Sequence, residues 1–133
     1  MAISALVAVD PIGDDLVGRI KERTANLRVG PGDDARSEMG PLVTGPHRDK
    51  VASYLDSGVR EGATLAVDGR AHLVLGAAAA GPGQSGTAAD GFWLGPSVLD
   101  HVTPQMSCYT DEIFGPVLSV LRAPSYEIGR AHV

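Results

Sequence analysis

Apolar positions along the chain alternate between short continuous runs and helically spaced stripes. Residues 3–9 are apolar except for Ser4 and stop at Asp10-Pro11, the pattern of a strand buried on both faces and hence of a parallel sheet. Gly13 and Asp14 then open a helix with Asp14 and Asp15 in its first turn, Leu16, Val17, Ile20 and Leu27 on one face, and Lys21 and Arg23 later. Residues 28–39 are rich in Gly, Pro and Asp and read as a loop. A second helix starts near 44–46, with Thr44 as N-cap candidate and Pro46 in the first turn; Val51, Tyr54, Leu55 and Val59 follow at helical spacing until Gly62. Residues 64–67 and 71–75 flank Asp68-Gly69-Arg70, a signal for a tight connection between two extended segments, of which one or both are strands. Residues 92–99 regain strand character with Gly95-Pro96 as an interruption, and 117–121 form a further apolar strand.

Composition changes this picture in one place. Residues 76–91 are Ala-, Gly- and Ser-rich, with too little apolar bulk to pack, and are expected to form a flexible surface insertion within one domain. Gly81-Pro82-Gly83-Gln84-Ser85-Gly86 matches a dinucleotide fingerprint in its letters, but that motif needs a helix directly after it, and 87–91 are too short to supply one. The match reads as a loop. At 133 residues and 44% hydrophobic, the chain is long enough for one globular core. A net charge of -5 without any Lys/Arg cluster argues against nucleic acid or an acidic membrane surface as partner. No apolar run approaches the roughly 20 residues of a spanning helix, and no basic leader precedes an apolar stretch. One cysteine cannot build a disulfide framework, and a cytoplasmic location is expected.

Candidate chemistry gathers at Asp111-Glu112-Ile113-Phe114-Gly115-Pro116-Val117. A carboxylate can accept two hydrogen bonds from a ribose diol, and a ring two residues on, projecting from the same side of an extended chain, can press against a heteroaromatic base. By composition alone the same residues also read as a solvated turn with the ring in the core. Cys108, four residues before Glu112, invites a nucleophile–base pairing, yet it has no neighbouring His or Lys to form thiolate. His47, His72, His101 and His132 show no metal-ligand spacing, so no metal is predicted, and Arg48, Arg60 and Arg70 read as surface charges.

Residues 112–117 resemble the Glu-Ile-Phe-Gly-Pro-Val signature of the NAD(P)-dependent aldehyde dehydrogenase superfamily at every position. Met39-Gly40-Pro41-Leu42-Val43-Thr44, Val67-Asp68-Gly69-Arg70, Gly91-Phe92-Trp93-Leu94-Gly95-Pro96-Ser97-Val98 and Val102-Thr103-Pro104-Gln105-Met106-Ser107-Cys108-Tyr109 follow the family's order and approximate spacing. The Met106-Ser107-Cys108-Tyr109 run looks most like the branch that oxidises methylmalonate semialdehyde with coenzyme A. The resemblance implies an α/β fold: part of the aldehyde dehydrogenase catalytic domain, a mostly parallel sheet flanked by helices, truncated at both ends. Residues 1–126 are expected to be that partial domain. Residues 127–133 resemble a translated sequencing adapter rather than the family's acidic helix, and are expected to be a non-native tail.

The same resemblance implies NAD as cofactor, held by Glu112 at the nicotinamide-side ribose and by Phe114 near the nicotinamide ring. Coenzyme A is implied as co-substrate of the intact enzyme, which is expected to act on a small molecule and to be homo-oligomeric. Asp111 stands where the family commonly has Glu, so its role is open. The family's nucleophilic Cys immediately precedes the residue matching Met1, and its general-base Glu, oxyanion-hole Asn and nucleotide-binding half lie further upstream. Cys108 aligns instead with a cysteine near the wall of the cofactor pocket. The chain alone is therefore expected to be inactive. Rival readings are a fragment of a general or succinate-semialdehyde dehydrogenase, a small non-catalytic interaction module, and a minimal enzyme using Cys108.

Overall fold

A computed structural model describes residues 4–75 and 91–127. The fold is mixed α/β: a four-stranded, mostly parallel sheet with a helix packed on each face. In chain order the elements are β1 (Ala5–Val9), α1 (Gly13–Ala25), α2 (Gly45–Glu61), β2 (Thr64–Val67), a 3-10 turn (Gly69–Ala71), β3 (Ser97–Asp100), α3 (Ser107–Thr110) and β4 (Val117–Ala123). The strands lie in the order β1-β4-β3-β2. β4 pairs in parallel with both β1 and β3, and β2 closes the other edge antiparallel to β3.

Strand alternation sorts the core onto the two faces. Val117 and Leu121 of β4 join Leu99, Val51 and Leu55 in a cluster under α2. Val120, with Leu118 packed beside it, joins Val98, Ala8 and Val17 under α1. Because β3 and β4 are parallel, the chain must return from the end of one to the start of the other, and residues 101–116 make that return on the α2 face.

The caps of α2 follow from its flanking residues. Thr44 is extended, and its hydroxyl accepts the His47 N–H at 3.3 Å; Gly62, at φ +111°, supplies the left-handed residue that ends the helix. Val51 and Leu55 are fully buried, whereas Val59, expected on the same stripe, is 47% exposed. Gly58 takes the inward position, where a Cβ would stand 2.8 Å from Leu99. In α1, Leu16, Val17 and Ile20 pack as expected, but the helix ends at Ala25, short of Leu27.

Three other expectations are corrected. β1 is an edge strand with only Ala8 fully buried, since β4 covers one of its sides and no described strand the other. The Asp68-Gly69-Arg70 connection is not a hairpin. The Asp68 carboxylate accepts the Arg70 N–H at 3.0 Å to cap the 3-10 turn, and Gly69 donates to the Ser97 hydroxyl at 2.9 Å, so β2 pairs with β3 instead. The strand expected at 92–99 begins only at Ser97; Phe92 makes a lone bridge to Leu42. The insertion at 76–91, apart from Gly91, and the fingerprint letters at 81–86 lie outside the described residues, as does the tail beyond Glu127.

On the α1 face a charged group completes the packing. Arg122 donates to both oxygens of Asp100, at 2.9 and 2.8 Å, and reaches Asp14 of α1 at 3.0 Å. The Asp100 side chain is 6% exposed and that of Arg122 17%. Burial pushes the Asp100 carboxyl up, but the bonds from Arg122 and the His101 N–H outweigh it and hold the group below the usual aspartate range.

Candidate functional site

Residues 107–115 run antiparallel to α2 and are fastened to it along one stripe: His47, Val51, Tyr54, Gly58 and Glu61, spaced by alternating steps of four and three. At the far end Glu61 accepts two hydrogen bonds from Ser107, from its N–H at 2.6 Å and its hydroxyl at 2.7 Å. One turn back, Gly58 leaves room for Leu99 and Cys108. The Tyr54 hydroxyl donates to Asp111 at 2.9 Å, and that bond raises the phenol above its ordinary range. Val51 presses on Gly115, where a Cβ would come within 2.5 Å of its methyl group. Finally, the imidazole Nε2 of His47 lies 2.8 Å from the Phe114 carbonyl; a carbonyl can only accept, so this nitrogen carries the hydrogen.

On the strip so fastened Thr110, Asp111, Glu112 and Phe114 are exposed, and the last two matter most. Ile113 is buried at 8% exposure, and on either side of it Glu112 and Phe114 face solvent, the Phe114 residue being 77% exposed. The ring is thus not in the core. The extended geometry expected between them is corrected, because Phe114 has φ +56°, a left-handed conformation rare for a bulky residue. A residue so placed breaks strand alternation, and the inward anchoring of Ile113 does what alternation was expected to do.

The two carboxylates differ in what they already hold. Asp111 accepts from Tyr54 and from the Thr110 hydroxyl at 3.3 Å. Glu112 has no hydrogen-bond or ion-pair partner among the described residues. One exposed carboxylate with both oxygens open, two residues from an exposed ring, suits a sugar diol joined to a flat heterocycle.

Cys108 is buried at 4% exposure on α3. Burial pushes its thiol up, the Ser119 hydroxyl opposes that, and the Glu61 charge adds to the rise; the group stays a neutral thiol. The arginines left unassigned are engaged locally: Arg48 with Asp49, Arg60 with Ser57, Arg70 with Asp68 and Asp56. Among the described residues no three His, Cys, Asp or Glu side chains are placed to hold a metal ion.

Sequence reasoning missed His47 and Tyr54 as residues that brace the strip. It set Tyr54 in an apolar stripe and read His47 only as lacking metal-ligand spacing. The seven-residue step from 47 to 54, through Val51, was the available signal, but what it faces only the fold reveals.

Comparison with known proteins places this geometry in context. A sequence profile described as the aldehyde dehydrogenase family matches residues 1–129. A malonate-semialdehyde dehydrogenase from Pseudomonas aeruginosa is 44% identical over 128 residues, covering 96% of this chain and 24% of that protein. Among solved structures, a protein described as a methylmalonate-semialdehyde dehydrogenase from Sinorhizobium meliloti 1021, complexed with NAD, superposes with a TM-score of 0.85 at 37% identity, over 98% of this chain and 25% of that one. The methylmalonate-semialdehyde dehydrogenase DddC from Oceanimonas doudoroffii gives a TM-score of 0.83 at 37% identity, over 99% of this chain and 25% of that one. The chain thus spans about a quarter of the length of these relatives.

Proposed function

The chain belongs to the aldehyde dehydrogenase family, and from that premise we propose that it is the nicotinamide-side part of an NAD-dependent, coenzyme-A-acylating methylmalonate-semialdehyde dehydrogenase. The observation that carries this reading is the pairing of a Glu112 carboxylate, unpartnered among the described residues, with an exposed Phe114 on a strip fixed to α2. An open acceptor beside an exposed ring fits the cofactor. The Glu112 oxygens would accept the two hydroxyls of a ribose, and the Phe114 ring would pack beside the nicotinamide. When bound, NAD supplies the hydride acceptor for aldehyde oxidation. What this chain contributes is orientation: it fixes the sugar and one side of the ring so that the reacting carbon faces the rest of the site.

The chain by itself is proposed to be inactive. Oxidation of this kind needs a thiolate to add to the carbonyl, and the one cysteine of the sequence is buried and held as neutral thiol. Cys108 therefore serves packing against α2. The structural relatives bear names with methylmalonate and the curated relative a name with malonate, semialdehydes that differ by one methyl group. A hydrophobic contact for one methyl discriminates by roughly 10- to 200-fold, so both substrates belong in the test.

The test is turnover by a full-length enzyme carrying this segment, with methylmalonate, malonate and succinate semialdehydes, each with and without coenzyme A. NADH formation that depends on coenzyme A and favours the methylmalonate compound is expected. Equal rates without coenzyme A, or a preference for succinate semialdehyde, contradict the branch. The isolated chain should form no NADH with any of them. Thiol-dependent NADH formation lost in Cys108→Ala contradicts the inactive reading.

A further inference from the structure

We propose that His47 is a positioning residue for the nucleotide site, acting through the backbone of Phe114; the proposal rests on the assignment of Phe114 to that site. Phe114 sits at φ +56° and the residue is 77% exposed, so burial of its own side chain does not reward the conformation. Backbone held in a sparsely populated region persists only where the surroundings over-determine it. Here the surroundings can be named. Ile113, buried at 8%, pins the chain before Phe114, and Gly115, pressed against Val51, pins its position after.

Neither contact fixes the rotation of the peptide plane between residues 114 and 115. The carbonyl direction sets ψ of Phe114, and φ and ψ are coupled in the left-handed region, so a carbonyl free to leave α2 lets Phe114 return to negative φ by rotation of the peptide plane before it as well. The bond from His47 Nε2 to the Phe114 carbonyl, 2.8 Å long and spanning 67 positions of sequence, fixes that direction. His47 is itself well held for the task. It lies in the first turn of α2, with its N–H on the Thr44 hydroxyl at 3.3 Å. The N-cap of α2 thus places His47, the imidazole holds the Phe114 carbonyl and with it ψ, and ψ so held keeps the residue in the left-handed region from which its side chain faces outward.

Two variants and two readouts test this. In a left-handed residue the amide and α hydrogens of the same residue are unusually close, so Phe114 of the wild-type chain should give a strong intraresidue NOE between them. His47→Ala should lose it. His47→Gln, whose amide nitrogen reaches about as far as Nε2 and can donate to the same carbonyl, should keep it. Persistence of the strong NOE in His47→Ala, or its loss in both variants, overturns the proposal.

The second readout is the KM for NAD of a full-length enzyme carrying the segment. Loss of one orienting hydrogen bond should raise it roughly tenfold in His47→Ala with kcat little changed, and His47→Gln should restore it. A residue that merely stabilised the helix would not split KM from kcat in this way. If Phe114→Ala leaves KM for NAD unaltered, the assignment of the nucleotide site falls, while the NOE still decides whether His47 sets the Phe114 backbone.

Discussion

The two faces of the sheet use the same kinds of residue to opposite ends. On the α1 face, near the ends of β3 and β4, the carboxylate of Asp100 is buried and filled by Arg122, which also draws in Asp14 from α1. On the α2 face, just ahead of β4, the Glu112 carboxylate is exposed, and among the described residues unpartnered, beside the exposed Phe114. One carboxylate is spent on holding the fold and the other is held by the fold. A charged residue at a strand end therefore says little about function until its partner is known. The α2 face also shows where the cost lies, because presenting Phe114 outward requires a strained backbone, a glycine pressed on Val51 and three side chains of α2 reaching over to the strip.

The sharpest way to break the contrast is to remove each carboxylate in turn. Asp100→Ala leaves Arg122 half-paired in a buried place and should cost about 3 kcal/mol of unfolding free energy, the low end for a broken buried pair because Asp14 remains. Glu112→Ala should change stability by less than about 0.5 kcal/mol. Urea unfolding of the two variants checks both, and equal losses would erase the distinction. Acid sharpens the same point. Asp100 is held below its unfolded-state value, so its contribution is present above the ordinary aspartate range and is lost as pH falls through its folded value. The acid limb of stability against pH should flatten in Asp100→Asn.

A smaller effect is expected at Gly115→Ala. A methyl group there meets both branches of the buried Val51, and overpacking should cost about 2 kcal/mol in thermal or urea unfolding. Phe114→Ala should leave the melting temperature almost unchanged, since the ring is exposed, and should weaken NAD binding roughly tenfold through the loss of a ring contact. Smallest of all, Tyr54→Phe removes one exposed hydrogen bond to Asp111 and should cost about 0.5 kcal/mol. The same bond has a spectroscopic signature. Phenolate absorbance should show Tyr54 titrating above its ordinary range, and Asp111→Asn should lower it.

Much of the scaffold was legible because local chemistry and global fold agree. Thr44, Pro46 and Gly62 mark the two ends of α2, and the acidic first turn marks α1, with no help from distant residues. Val59 was misjudged, since which flank of an amphipathic stripe turns inward depends on the neighbour, and here Gly58 faces Leu99. The Asp68-Gly69-Arg70 connection was open between one strand and two for a related reason: its one strand, β2, found a partner in β3, far along the chain. Glu112 and Phe114 were singled out from the signature, but the geometry that exposes them was not. Nothing in a linear sequence announces that a phenylalanine will be left-handed or that a histidine 67 positions away will hold its carbonyl.

The most direct test of the central claim is an NMR titration of the chain with NAD, which detects weak binding by an isolated part of a larger site. Shifts concentrated at residues 112–115 and at His47, and much reduced in Phe114→Ala and Glu112→Gln, are the predicted result. Shifts elsewhere with these residues unmoved, or identical titrations in wild type and both variants, would contradict it.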